Sequence, residues 1–329
     1  MTDDGSTTTG TSSSTTEGST STSTTDASES ATSEDTGAEA TPVIPTDNRA
    51  GVMFSGPTHR LMIDAVGARV MEYSLDGQNV LYTDGTRLQQ GSTFWVAPQS
   101  SWTDTDDDWP PPTAIDDARY EYVIDGATAT FTSQEDASLG LSVTKTFAMT
   151  STGEVTITYT MIASRDLTTP WAPWEVSRHS PGLCFFARGG ETPQFSYNLD
   201  IADMISVVEG SGVAWVPYSG PLAKHGELLA DAAGWAGCAF ESTRHLLLKQ
   251  FADVSGGSFS AGNGDLKIWW QRDEASDQAA YLELEPIGPA TGLGAGETST
   301  YTVVWTLTEI PADVDIVPGA PLAGLLPSP

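Results

Sequence analysis

The chain has 329 residues and a formal charge of −30, from 44 acidic against 14 basic side chains. That balance disfavours nucleic acid and anionic membranes as partners and leaves divalent cations or uncharged ligands such as sugars. Its two cysteines, Cys184 and Cys238, lie in no CxxC pair and at no ligand spacing from a histidine, which argues against zinc; one disulfide and two buried thiols both fit.

Residues 1–47 carry nine acidic side chains, no Lys or Arg, and almost nothing large and apolar. Such a segment cannot bury enough surface to offset the entropy of ordering, so it reads as a disordered Ser/Thr-rich spacer. The remaining net charge is −21. No run of 18 apolar residues and no signal-like start follows Met1. The spacer has the composition found after the lipid-bearing cysteine of a bacterial lipoprotein. A cell-surface, extracellular or periplasmic location is expected, with a removed N-terminal lipid anchor as the contact with a membrane.

From about residue 48 the pattern turns to short runs rich in Val, Thr, Tyr, Phe and Trp, broken by Gly, Asp and Asn, with no helical period. The expectation is an all-β domain over 48–310. Asp76-Gly77 and Asp125-Gly126 mark tight hairpin turns, and Leu141–Met149 pairs with Val155–Ile162 across Ser151-Thr152-Gly153. Further strands are expected at Leu183–Ala187, Ile205–Val208, Val213–Pro217, Cys238–Phe240, Leu246–Phe251, Leu266–Trp270, Tyr281–Glu285 and Thr300–Thr306. About fifteen strands without helices imply stacked, curved antiparallel sheets with a broad concave groove. Residues 311–329, rich in Pro, Gly and Ala, read as a tail lying on the surface.

Three stretches carry chemistry. Asp104, Asp106 and Asp108 alternate as in calcium loops, but no Gly stands at the sixth position and no Glu at the twelfth, so this is a weak calcium candidate beside the alternative of a solvated acidic loop. Trp95, Gln99 and Trp109 crowd around it, and Pro110 to Pro112 stiffen the chain, as suits the rim of a ligand site. The segment Trp171 to Gly182 concentrates Trp171, Trp174, Glu175, Arg178 and His179. It reads either as a sugar site, with indole rings stacking on a pyranose and polar groups holding its oxygens, or as a buried Trp pair beside an ion pair. In Tyr281-Leu-Glu-Leu-Glu-Pro286, alternation puts Tyr281, Glu283 and Glu285 on one face and both leucines on the core side. In a cleft, like charge and burial would raise one carboxyl; on an open face they would be ordinary polar residues. His59, His225 and His245 read as structural. There is no GxSxG elbow, HExxH, phosphate loop or dinucleotide fingerprint.

Over residues 55–308 the chain resembles the galactose mutarotase-like superfamily and within it an uncharacterised bacterial branch. The motifs are Val66-Gly-Ala-Arg-Val70, Gly91-Ser-Thr-Phe-Trp-Val-Ala-Pro98 with Trp109-Pro-Pro-Pro112, Glu175 to Gly182, Lys249-Gln-Phe251, Leu282-Glu-Leu-Glu-Pro286, Gly296-Glu297 and Trp305. The resemblance implies a β-supersandwich with a carbohydrate groove. It also implies aldose 1-epimerase chemistry without metal or cofactor, with His179 as general acid and Glu285, or Glu283, as general base. The family clamps its sugar with further His and Arg early in the chain, where this sequence offers Gln99 and tryptophans. The leading expectation is a carbohydrate-recognising protein. Its enzymatic form is an aldose epimerase, and the alternatives are a non-catalytic glycan binder using Trp95, Trp109, Trp171 and Trp174 as a platform, glycoside cleavage by Glu283 with Glu285 or Glu175, and a surface domain with a purely structural role.

Overall fold

The computed structural model describes residues 39–43, 51–102, 109–196, 206–207, 212–217, 225–254, 258–260, 264–273 and 278–328. Asp104, Asp106 and Asp108 lie outside the described residues, as does most of the spacer. Residues 39–43, assigned above to the spacer, form a strand.

In chain order the strands are β1 (Glu39–Val43), β2 (Gly51–Ser55), β3 (His59–Asp64), β4 (Arg69–Leu75), β5 (Gln78–Asn79), β6 (Ser92–Ala97) and β7 (Glu121–Asp125). Then come β8 (Thr128–Thr132), β9 (Leu141–Met149), β10 (Val155–Ala163), β11 (Ala172–His179), β12 (Leu183–Arg188), β13 (Gln194–Ser196) and β14 (Ser206–Val207). The last are β15 (Val213–Val216), β16 (Gly226–Ala230), β17 (Ala232–Phe240), β18 (His245–Phe251), β19 (Leu266–Asp273), β20 (Gln278–Pro286) and β21 (Thr298–Glu309). The first sheet runs β1-β2-β3-β4-β6-β11-β20-β19-β16-β13, with β5 attached to β4; the second runs β14-β15-β12-β17-β18-β21-β10-β9-β8-β7. Every pairing between these strands is antiparallel.

Local chemistry accounts for the hairpins. Asp76 (φ 50°) and Gly77 (φ 77°) take the two left-handed positions that a two-residue turn with the twist of its strands requires. In β9 and β10 buried positions alternate strictly with half-buried ones, so one face of that hairpin packs inward. The central strands β6 and β11 are buried at every position. Their two faces meet different neighbours, and a strand covered on both sides shows no alternation in its sequence.

Phe94, Tyr73, Tyr159, Leu282, Leu284 and Trp305 belong to the core between the sheets. A second apolar layer lies on the outer face of the second sheet. In β12, Cys184 and Phe186 join the inner core whereas Leu183, Phe185 and Ala187 join Trp215, Trp235, Leu246, Ile310 and Leu322 in this outer layer. Residues 311–328 are therefore more than a surface tail. Leu322, in the short helix Ala320–Ala323, is fully buried in this layer, and Val314, Ile316, Leu325 and Leu326 pack against the layer. Arg244 fixes the tail by donating to the carbonyls of Pro311 and Val314 at 2.5 and 2.8 Å. Cys184 and Cys238, directly opposite in β12 and β17, are joined by a disulfide. No helix among the described residues is long and apolar enough to cross a membrane.

Candidate functional site

The outer face of the first sheet carries a groove of about 460 Å³. Its floor is built by strand parity. Residues 174 and 178 of β11 point into it, as do 281 and 283 of β20, 267, 269 and 271 of β19, 95 of β6 and 227 of β16. The intervening residues Ile268, Trp270, Leu282 and Leu284 point into the core. Leu88, Gln89, Gln99 and Trp109 complete the rim.

Register converts this parity into rows. Arg178 lies opposite Glu283, Glu283 opposite Trp269, and Trp269 opposite Glu227, so four neighbouring strands each place one side chain in line. Next to it Trp95 lies opposite Trp174, the rings meeting edge to face at 5.1 Å. Trp109 stands edge-on to Trp95 at 5.6 Å and is 48 % exposed, whereas Trp95 and Trp174 are buried. Trp95 is pinned from below. Asp116, itself buried, accepts from Trp95 Nε1 at 2.9 Å, Thr93 Oγ1 at 2.7 Å and Arg69 Nη2 at 2.8 Å. Burial alone would raise the Asp116 carboxyl, but the Arg69 charge and these donors hold it below the ordinary range.

The groove's charges come in pairs. Arg178 Nε sits 2.7 Å from Glu283 Oε1, and Lys267 Nζ 2.6 Å from Glu227 Oε2. Both cations also lie over indole rings: Arg178 is 5.3 Å from Trp95, and Lys267 is 5.1 Å from Trp174 and 5.6 Å from Trp269. Burial would lower the pKa of each cation, but the carboxylates beside it outweigh burial and raise it. Glu285 lies beneath them without exposed surface, accepting from Trp174 Nε1 at 2.7 Å. Burial pushes its carboxyl well above the ordinary carboxylate range; Glu283 and Glu227 add to the shift and Lys267 opposes it.

The structure thus brings Trp95, Gln99, Trp109, Trp174, Arg178 and Glu283 together in one groove, with Glu285 below. His179 is elsewhere. One position beyond Arg178, its ring turns to the opposite face of β11 and is completely buried between the sheets. Its Nδ1 lies 2.9 Å from the Val80 carbonyl and its Nε2 2.7 Å from Ser177 Oγ. Burial, with the nearby Lys249 charge, lowers its pKa to about 3, so the ring stays neutral. The expected meeting of His179 and Glu285 in a common pocket is therefore corrected, because strand parity separates them. Glu175 is corrected for the same reason. It faces the core, where Lys249 Nζ donates to Oε1, Tyr159 OH to Oε2 at 3.1 Å and Trp305 Nε1 to Oε1 at 3.2 Å. Trp171 is buried beside Thr291 and does not line the groove. Sequence reasoning missed Lys267, Trp269, Gln271 and Glu227; the alternation of Lys267-Ile-Trp-Trp-Gln271 was the available signal.

Among the described residues, Asp231, Asp253 and Asp265 bring carboxylate oxygens within 4.8 Å of one another. Backbone amides already engage this cluster: Asp265 accepts from Ala232 and Val254, and Asp231 from Glu191.

No protein-family model and no curated protein matches the chain. Solved structures do. A protein from Escherichia coli K12 provisionally described as an aldose 1-epimerase is 12 % identical, with a TM-score of 0.55 over 82 % of this chain and all of the other. A galactose mutarotase-like protein from Lactobacillus casei is 13 % identical, with a TM-score of 0.55 over 78 % of this chain and all of its own. Another from Clostridium acetobutylicum is 11 % identical, with a TM-score of 0.50 over 83 % of this chain and 99 % of its own. With its two large antiparallel sheets and the groove on one of them, this chain has the galactose mutarotase-like fold.

Proposed function

We propose that the groove binds an uncharged glycan and that binding, rather than turnover, is its task. One observation carries this reading: one groove brings Trp95, Trp174 and Trp269 of the sheet and the exposed Trp109 of its rim together with two ion pairs, Arg178–Glu283 and Lys267–Glu227. The half-exposed ring of Trp109 takes the apolar side of a pyranose, and fixed donors and acceptors take its hydroxyls. The similarity to mutarotase-like proteins supports a sugar ligand. Titration of intrinsic tryptophan fluorescence with neutral oligosaccharides tests it, and a saturable change is expected. Absence of any saturable change across neutral mono- and oligosaccharides would defeat the reading.

Epimerisation remains the second reading because Glu283 lines the groove and Glu285, its carboxyl raised by burial, lies directly beneath it. Against it, no histidine among the described residues lines the groove. Polarimetry of freshly dissolved α-glucose and α-galactose decides: binding alone predicts the buffer rate. Glycoside cleavage fits less well, since carboxyls side by side on one strand approach a ligand from the same side, whereas hydrolysis uses a pair flanking the bond. The disulfide supports our placement of the protein outside the reducing cytoplasm, at the cell surface or in the periplasm.

A further inference from the structure

Arg178 presents an unusual combination. Its side chain is 1 % exposed, yet it lines the groove, and its buried Nε and Nη1 make no hydrogen bond among the described residues, although Glu283 Oε1 stands 2.7 Å from Nε. A buried N–H without a partner is costly, and one in the wall of a groove leaves a donor that a bound group can complete. The guanidinium is held in place: Glu283 stands at its Nε side and its carbon lies over the Trp95 ring. A planar donor and an adjacent carboxylate acceptor are thereby fixed side by side in the row that crosses the groove.

We propose, resting on the glycan reading of this groove, that Arg178 and Glu283 together recognise a vicinal diol. The Arg178 guanidinium donates to the oxygen of one ring hydroxyl, and Glu283 accepts the hydrogen of its neighbour. Two adjacent sugar hydroxyls offer an oxygen lone pair and an O–H on neighbouring carbons, matching a donor and an acceptor held side by side, whereas an ether has no hydrogen to give Glu283. An acidic sugar fits poorly. Its carboxylate or sulfate would have to displace Glu283 from Arg178 beside a second carboxylate, Glu227, on a chain of net charge −30. An amino sugar fits poorly as well, because Arg178 and Lys267 already occupy the indole faces that would otherwise attract a cation. The selected class is a neutral glycan with at least one pair of free adjacent hydroxyls.

The test uses the full chain on an array of neutral, uronic acid-containing and sulfated glycans, followed by fluorescence titration of those retained. The expected result is retention of neutral glycans, loss of binding once periodate has cleaved their vicinal diols, and affinity about tenfold weaker in Arg178→Lys, which keeps the charge but not the planar fork. Because a buried pair tolerates loss of one partner badly, Arg178→Gln/Glu283→Gln, which leaves no orphan charge, serves as the second variant, with its melting checked first. It too should bind about tenfold more weakly. Binding within about twofold of the parent in both variants, with Trp109→Ala still weakened, would overturn the diol assignment while leaving the glycan reading intact. Preference for acidic glycans would also overturn it, and no retained glycan at all would remove both.

Discussion

Glu285 is a carboxyl kept from water beneath the floor of a groove, and its raised pKa has a measurable consequence. In the folded chain its pKa is raised, chiefly by burial; in the unfolded chain it titrates as an ordinary carboxylate. Between those two values the folded state binds the extra proton, so stability falls as pH rises through that window, by about 1.4 kcal/mol for each pH unit separating the two states. Glu285→Gln, which cannot ionise, should therefore melt higher than the parent at pH 7–8, and the gain should vanish near pH 4. Thermal melts across that range check it; a constant difference at every pH contradicts the assignment. Trp109 is the opposite kind of residue, half exposed and resting edge-on against Trp95. Trp109→Ala should weaken glycan binding about tenfold, a stacking contribution of about 1–1.5 kcal/mol, while barely moving the melting temperature.

Among the elements, β20 was legible in advance because its two faces meet such different surroundings. Leu282 and Leu284 are fully buried in the core while Tyr281 and Glu283 line the groove, and the sequence alternates accordingly. Strand β11 was not. Groove on one face and core on the other bury every residue, so Glu175, Arg178 and His179 read alike as one polar cluster. Only the register, Arg178 opposite Glu283 and His179 opposite Leu282, decides which face each takes. A one-position offset thus turned a residue of the expected type into a neutral core histidine. The C-terminal tail misled differently: its Pro and Gly disguise the spaced apolar residues Val314, Ile316, Leu322 and Leu325 that cap the outer layer. Leu322→Ala should cost about 2–4 kcal/mol, the usual price of emptying a buried leucine site, and urea unfolding measures it. A loss below about 0.5 kcal/mol would mean that the tail is only loosely applied.

For the molecule as a whole, two large sheets and the inner core account for the fold, and the disulfide adds a covalent link within the second sheet. Cys184 and Cys238 are 54 positions apart, a loop for which the chain-entropy model gives about 4 kcal/mol from restriction of the unfolded state. Cys184→Ala/Cys238→Ala should lower the unfolding free energy by about 2–5 kcal/mol without changing glycan affinity, since neither residue lines the groove. Unchanged stability in that variant would contradict the pairing. The all-β architecture was readable from composition and turn spacing alone, because hairpin turns such as Asp76-Gly77 need particular residues whatever packs around them.

The pairing of cations with carboxylates inside the groove sets it apart from the strongly acidic exterior. A recognition surface whose charges are already matched within the fold, meeting a partner that carries none, exerts no long-range pull. Its association rate should therefore be nearly the same in brine as in dilute buffer, and stopped-flow mixing across a salt series would reveal any departure.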